Sequence, residues 1–486
     1  MSGRAAGSLR RPSRAALRRA RVGLAVVGSR LAAAASRTLG RGGTALPGLV
    51  AERIAPDLLS HLASQLPRGS IVVTGTNGKT TTSHMLARIL SAAGLQPLRN
   101  ASGSNLARGV ATSLAAHAGP LGRLRATPST IGLFETDEAA FAQVVPAVRP
   151  RVVAVTNLFR DQLDRYGEVD TVAAVWRTAL ERLGAQPHTL VLNADDPTVA
   201  ALGNAFGSTP SGTESLYFGV DDPAIGRPGV EHASDAKTCP ACGARLEYAL
   251  AYYGHLGHYA CANGHRRPSP GVAATRVTAR GFEGTDLTIA TPHGELTLTL
   301  PLPGLYNVYN ALAAATSALA AGAPLSAIKE GLERFTAAFG RLERVAVGDK
   351  TAFLVLAKNP VGMNEALRTL FADGRPKHLL MALNDLDADG RDVSWIWDAD
   401  FEHAAGHVAT LVVSGRRAED LALRLKYAGA IAKHPHLEPD LSRALDAALH
   451  DTPAGATLYC VLTYTAMLTL RKVLSDRGHV APYWDL

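Results

Sequence analysis

The stretch Thr74-Gly75-Thr76-Asn77-Gly78-Lys79-Thr80-Thr81 follows the apolar run 70–73 and precedes a helix-like segment at 82–93. Strand, glycine-rich loop, Lys-Thr and helix, in that order, form the physical recipe for holding a nucleotide triphosphate. Glycines let backbone N–H groups close around phosphate oxygens, and the helix N-terminus adds positive potential. Lys79 is expected on a solvent-accessible loop, reaching the β- and γ-phosphates, with the Thr80 hydroxyl as a Mg²⁺ ligand. Gly75, Thr76, Asn77, Gly78 and Thr81 complete the expected cradle. The spacing is tighter than the common G-x-x-x-x-G-K-[ST], because Gly75 and Lys79 enclose only T-N-G. The alternative is a plain glycine turn ahead of a helix.

With 486 residues, the chain has room for two or three domains. Hydrophobic residues make up 47%, enough for a sizeable core, yet no uncharged apolar run reaches the roughly 18 residues of a membrane span. The net charge is +8, but residues 1–45 hold ten arginines and no Asp or Glu, the first acid being Glu52. Setting that arm aside leaves −2, so the basicity is no nucleic-acid-binding face on the folded domains. Ala and Arg favour helix, and Leu17, Val22, Leu24, Val27 and Leu31 are expected to share one face of it. Three readings of the arm stay open: a solvated leader followed by a docked helix, a helix drawn to an anionic membrane surface, or an organelle transit peptide. A secretory signal is excluded, since 22–27 is short and followed by Gly28.

Residues 71–200 alternate β-like runs (71–73, 131–135, 152–156, 190–193) with helical patterns, the signature of a parallel α/β sheet. Residues 225–300 bring cysteines, histidines and then alternating runs, read as an inserted small module followed by antiparallel strands. An alanine-rich helical pattern returns at 304–336. Another α/β unit begins near Gly340, with strands at 352–357, 379–383, 410–414 and 457–463. The expected organisation is a basic arm and helix at 1–45, a central P-loop domain at 46–339 with a ribbon inserted at about 236–270, and a C-terminal α/β domain at 340–486.

The apolar strand 131–134 runs into Glu135, Asp137 and Glu138. Ligands of open α/β sheets sit beyond the carboxyl ends of strands, so Glu135 first, then Glu138, is the candidate to share Mg²⁺ with Thr80. Acids at a solvated helix N-terminus would look the same. The polar stretch 156–168 also starts at a strand end and fits a phosphate or second-metal site, or a surface loop laced with salt bridges. Cys239-Pro240-Ala241-Cys242-Gly243 is one half of a zinc knuckle, and Cys261 and His265 supply the other. His255 and His258 are further candidates. A redox role for the C-x-x-C fits less well, because no thioredoxin-like strand precedes it. Four cysteines exclude a disulfide scaffold, and their clustering suits a reducing compartment. Cys460 is expected in a buried strand.

The phosphate loop, the E-T-D-E strand end, L-N-A-D-D-P at 192–197 and G-L-Y-N-V-Y-N-A-L-A-A-A at 304–315 resemble Mur ligases. Within that family the chain is similar to the MurT branch, ligase subunits of lipid II isoglutaminyl synthase. T-N-L-F-R-D-Q-L-D-R-Y-G-E, the ribbon, A-K-N-P-V-G-M-N at 357–364 and L-N-D-L-D-A-D-G-R-D-V-S-W-I-W-D-A-D-F-E at 383–402 carry that similarity, which spans about 30–470. The family's ribbon commonly has a fourth cysteine where this chain has Asn263 or Gly264, so His265 or water would complete the set.

The resemblance implies a cytoplasmic enzyme, at the inner face of the membrane, using ATP and Mg²⁺ and holding a structural Zn²⁺. ATP would phosphorylate the α-carboxyl of D-glutamate in lipid II, and ammonia would displace the phosphate to give D-isoglutamine. Lys79 and Glu135 would serve the phosphoryl chemistry, Asn307 and Asn310 the nucleotide side, and Arg341 and Lys358 would close over the phosphates. With no glutaminase nucleophile in view, a separate GatD-like glutaminase would supply ammonia, and Asp392 would orient its histidine. Acids capping the following helix are the alternative for Asp392. Only 73 residues precede the phosphate loop, so recognition through a UDP-sugar domain is not expected. A folylpolyglutamate-synthase-like amino-acid ligase and a non-catalytic P-loop binding protein are the competing functions.

Overall fold

Short apolar runs bounded by turn residues form strands, and the alanine- and leucine-rich stretches between them form helices. The computed structural model describes residues 14–38, 45–100, 104–160, 169–184, 186, 188–204, 213–229, 235–336, 343–430 and 435–481. The first half comprises α1 (Arg14–Thr38), α2 (Ala45–Ile54), α3 (Leu58–Ala63), β1 (Ser70–Thr74), α4 (Lys79–Ala92), β2 (Gln96–Arg99), α5 (Ala107–His117), β3 (Thr130–Glu135), α6 (Phe141–Val148) and β4 (Val152–Val155). It continues with α7 (Val169–Glu181), β5 (Thr189–Asn193), α8 (Pro197–Asn204), β6 (Glu214–Val220), β7 (Leu246–Tyr253), β8 (Leu256–Cys261), β9 (Val272–Ala279), β10 (Thr285–Thr291), β11 (Gly294–Leu300), α9 (Leu305–Ala320) and α10 (Leu325–Glu333).

Among the described residues these strands form a nine-stranded sheet, ordered β11-β10-β9-β6-β5-β4-β1-β3-β2, with β7 and β8 as a separate hairpin. β1 lies parallel between β3 and β4, while β9, β10 and β11 extend one edge as an antiparallel meander. Every residue of β1, β3 and β4 is buried, as a parallel strand covered by helices on both faces requires. Met85, Leu86 and Ile89 of α4 and Val308 and Leu312 of α9 cover one face. Val110 and Leu114 of α5, Val144 of α6 and Trp176 of α7 cover the other.

The C-terminal part holds β12 (Glu343–Val347), β13 (Lys350–Leu356), α11 (Pro360–Phe371), β14 (Lys377–Ala382), β15 (Val408–Ser414), α12 (Ala418–Tyr427), β16 (His436–Leu437), α13 (Leu441–Asp451), β17 (Thr457–Leu462) and α14 (Tyr464–Asp476). Its sheet runs β12-β13-β17-β14-β15-β16, parallel except for β12. Both sheets are of the α/β class expected from the sequence.

Two local expectations change. Helix α4 begins at Lys79 rather than at 82, because Gly78 takes φ +83° and turns the chain straight from the loop into the helix. The expected apolar face of α1 is split. Val22 is buried with Ala25 and Val26, whereas Leu24, Val27 and Leu31 are exposed. Two residues around a helix is a turn of about 200°, so Val22 and Leu24 cannot share a face. The side chain of Leu17 lies outside the described residues. The helix is docked on the central unit by side-chain bonds as well. Arg18 and Arg21 both bind Asp57, Arg21 at 2.9 Å. Arg30 donates to the carbonyls of Ala116, at 3.0 Å, and Ala118, at the end of α5, where helix carbonyls lack intrahelical partners. No described helix is long and apolar enough to cross a membrane.

Candidate active site

Three strand ends meet at the site because β1 pairs with both β3 and β4. Val73 is opposite Glu135 and Thr74 opposite Val155, so the phosphate loop, the carboxylates and the 156–160 segment leave the sheet side by side. Gly75 has φ +136°, and a Cβ there would sit 2.1 Å from Thr156 Oγ1. A Cβ on Gly78 would sit 1.9 Å from Asn310 Oδ1 of α9. Both glycines are therefore fixed by close approach as well as by backbone conformation.

The 156–160 segment straps the loop down. Asn157 Oδ1 accepts from the Asn77 N–H at 2.8 Å, and its Nδ2 donates to the Asn77 carbonyl at 3.0 Å. The Thr76 hydroxyl donates to the Phe159 carbonyl at 3.1 Å and accepts the Phe159 N–H at 3.0 Å. From the C-terminal unit, Asn359 Nδ2 donates to Asn77 Oδ1 at 3.1 Å. Asn77 Nδ2 is buried with no acceptor, a donor left open on the loop for a ligand.

Lys79 departs from its expected exposure: it is buried, because Nζ turns back into the loop. It donates to the carbonyls of Gly75 and Thr76 and pairs with Glu138 at 3.0 Å. The Thr80 hydroxyl donates to Glu135 Oε1 at 2.8 Å. Asn100 fixes the Glu135 backbone, accepting its N–H and donating to its carbonyl, both at 2.9 Å. Asn310 donates to Asn307 at 3.2 Å and accepts from Thr82, so α9 closes the loop's other side. A hydroxyl and a carboxylate this close form a hard oxygen donor set that suits Mg²⁺. Lys358 directly precedes the bridging Asn359. Arg341 and residues 161–168 lie outside the described residues.

Asp196 anchors the strap from below, accepting the N–H of Leu158 at 2.8 Å while its other oxygen caps α8 through Thr198 and Val199. Buried His255, at the tip of the β7–β8 hairpin, lies 3.3 Å from Asp196 and packs against Phe159, the rings tilted by 53° with centroids 4.6 Å apart. His255 is thus a brace for the strap and no metal ligand. His258 bonds the Val220 carbonyl at 3.1 Å and also stays outside the cysteine cluster. Sequence reasoning missed this brace, together with Asn100, Asn157 and Asn359 as loop anchors. The L-N-A-D-D-P motif, the polar stretch 156–168 and A-K-N-P-V-G-M-N at 357–364 contained Asp196, Asn157 and Asn359 without revealing these roles.

At the far end of the hairpin, ligand atoms of Cys239, Cys242, Cys261 and His265 all lie within 4.8 Å of one another. Cys242 and Cys261 sulfurs are 3.8 Å apart, and Cys261 Sγ is 3.6 Å from His265 Nδ1. Tetrahedral zinc with bonds of about 2.3 Å needs sulfurs roughly 3.8 Å apart, so the set fits. Asn263 donates to Cys242 Sγ at 3.3 Å and, with a backbone hydrogen bond from Ala244, holds that thiol down at about 6. Asp392 is exposed, and its Oδ1 accepts the Ser394 N–H at 2.8 Å. Hydrogen bonds from the Ser394 side chain and backbone hold its carboxyl below the usual range.

The family model of the Mur ligase middle domain matches residues 73–255, and that of the MurT ligase C-terminal domain matches 356–467. The chain is 35% identical over 404 residues to lipid II isoglutaminyl synthase (glutamine-hydrolyzing) subunit MurT of Staphylococcus aureus (strain COL), covering 82% of this chain and 86% of that protein. It is 34% identical over 443 residues to the subunit of the same name from Streptococcus pneumoniae (strain ATCC BAA-255 / R6), covering 90% and 94%. Among solved structures, a pseudomurein peptide ligase type C from Methanothermus fervidus shares the fold, with a TM-score of 0.61 at 24% identity over 84% of this chain and 78% of that one.

The brace carries a pH signature. Burial disfavours the His255 cation, but the Asp196 carboxylate outweighs it and raises the imidazole pKa above its ordinary value. A histidine raised in this way stabilises the fold fully below its unfolded value of about 6.5, and that stability fades as pH rises through the folded value. The melting temperature of the native protein should therefore fall faster above neutrality than that of His255→Gln. Parallel profiles for the two proteins would show that the pair does not titrate with folding.

Proposed function

The chain belongs to the MurT family, ATP-dependent ligases that act as one subunit of lipid II isoglutaminyl synthase, and from that premise we propose a reaction and roles for its residues. The α-carboxylate of D-glutamate in the lipid II stem attacks the γ-phosphorus of ATP, and ADP leaves. Ammonia then attacks the acyl carbon of the resulting acyl phosphate, loses a proton, and expels inorganic phosphate to leave D-isoglutamine. The observation that carries this reading is the Lys79–Glu138 and Thr80–Glu135 pairing at the head of α4.

Backbone N–H groups of the loop and the Asn77 amide receive the phosphates. Lys79 exchanges its loop carbonyls for phosphate oxygens and neutralises the charge that develops there. Thr80 and Glu135 would hold Mg²⁺, which would supply Lewis-acid polarisation of the phosphoryl oxygens. Asn307 and Asn310 flank the nucleotide. Lys358 and Arg341 close from the C-terminal unit, and the Asn359–Asn77 bond is the present contact along which that closure would run. Zinc, held by Cys239, Cys242, Cys261 and His265, would be structural, and elemental analysis should read one zinc per chain.

The ammonia source is proposed to be a separate GatD-like glutaminase. Three of the four cysteines cluster in the ribbon, and Cys460 is buried in β17, where burial pushes its thiol up to about 12. A thiol that stays protonated is no nucleophile. Asp392, exposed and readily ionised, is the carboxylate offered to the partner's histidine. Its bond to Ser394 holds the carboxylate in position without consuming it. The reaction would run in the cytoplasm, at the inner face of the membrane where lipid II and ATP meet.

Lys79→Ala should lower ammonia-driven amidation by about 10²–10³-fold, the scale for losing one charge-stabilising donor. It should also cost about 3 kcal/mol of stability, since buried Glu138 loses the cation of its ion pair. Adding Glu138→Gln should recover stability but not activity. Recovery of both would assign Lys79 a folding role only.

Asp392→Asn should leave ammonia-driven amidation intact and reduce glutamine-driven amidation by about 10⁴-fold, as loss of a triad carboxylate does elsewhere. Equal loss of both activities would place Asp392 in ATP chemistry or folding.

A further inference from the structure

We propose that α1 is a membrane-contact element that lays its outward face on an anionic lipid surface. The proposal deepens the reading that the substrate is lipid-linked. The helix has two unlike sides. Val22, Ala25, Val26 and Ser29 are buried against the central unit. On the opposite side Leu24 is 65% exposed, Val27 39% and Leu31 67%. Spacings of three and four residues put these side chains in one stripe along the helix. Nothing among the described residues covers that stripe.

The occupant follows from charge. Residues 1–45 carry ten arginines and no acid. A second copy meeting this face would set two arginine-rich, acid-free segments against each other, with Asp57 already taken by Arg18 and Arg21, so self-association is opposed. A nucleic acid would satisfy the arginines but leave the Leu24–Val27–Leu31 stripe against phosphates. Anionic lipid satisfies both, with apolar side chains entering the acyl boundary and guanidinium groups at the headgroups. Arg18 and Arg21 remain about half exposed even while bound to Asp57, so they can serve both. The helix lies on the surface and does not cross it, in keeping with its arginines. Because α1 packs on α2 and α5, the contact would orient the central unit, and its ATP site, relative to the membrane.

The test is flotation of the full-length chain with vesicles of phosphatidylglycerol and phosphatidylcholine, against phosphatidylcholine alone. The native protein should float with the anionic vesicles, and its partitioning should drop about fivefold for each arginine contact screened by salt. Leu24→Asp/Leu31→Asp should reduce partitioning at least tenfold with an unchanged melting temperature, because both side chains are outside the core. Leu24→Trp/Leu31→Trp should bind at least as well as the native protein. With ammonia and ATP, the aspartate variant should amidate detergent-dispersed lipid II at the native rate and vesicle-borne lipid II more slowly. Equal flotation of native and aspartate proteins, or none by the native protein, overturns the proposal. So does a solution dimer that the aspartate variant dissociates without any vesicle binding. Absence of amidation by the native protein in either format would refute the proposed reaction, while flotation would still decide the lipid contact.

Discussion

The parallel pairing of β1 with β3 on one side and β4 on the other is the constraint on which the site depends. It aligns three carboxyl-terminal strand ends, so one register sets the distances among the phosphate loop, Glu135, Glu138 and the Asn157 strap. A slip of one residue would turn Val73 and Glu135 to opposite faces and separate Thr80 from its partner. The strand interiors are fully buried, which makes such a slip expensive. The site is thus held by the core, and its own hydrogen bonds only refine it.

The second layer of control comes from elements far away in sequence. The hairpin tip at His255 presses on Phe159 and Asp196, and that segment in turn holds Thr76 and Asn77. From the other unit, Val361 packs into the central core and Asn359 reaches Asn77. Arg160 also pairs with Asp398 at 2.8 Å. The loop therefore senses both the ribbon and the C-terminal unit, as expected where motion of one unit must be coupled to phosphate chemistry in the other.

What was legible in the sequence was local. The strand–loop–helix order, the carboxylates at the end of β3 and the C-x-x-C knuckle are patterns within a few residues of one another, and the MurT resemblance read from longer motifs agrees with the family the relatives belong to. That agreement also decides against a folylpolyglutamate-synthase-like ligase. What was not legible depended on packing. Lys79 looked like an exposed loop lysine, but Glu138, 59 residues on, draws it inward. Val22 was grouped with Leu24 on hydrophobicity alone, where the angle around the helix separates them. His255 looked like a metal ligand, and only its placement over Phe159 shows that it braces the strap. Asn157 and Asn359 lay in recognised motifs and Asn100 in none, but the anchoring role of all three was hidden, because their partners are backbone groups and side chains brought near only by the fold.

The proposed reaction activates a carboxylate by phosphorylating it. Lipid II carrying ¹⁸O in the α-carboxylate of its D-glutamate, incubated with the chain, ATP, Mg²⁺ and ammonium, tests it most directly. An acyl phosphate transfers one carboxylate oxygen to the departing phosphate, so mass spectrometry should find ¹⁸O in inorganic phosphate in step with D-isoglutamine formation. Amidated product accompanied by unlabelled phosphate would contradict the account.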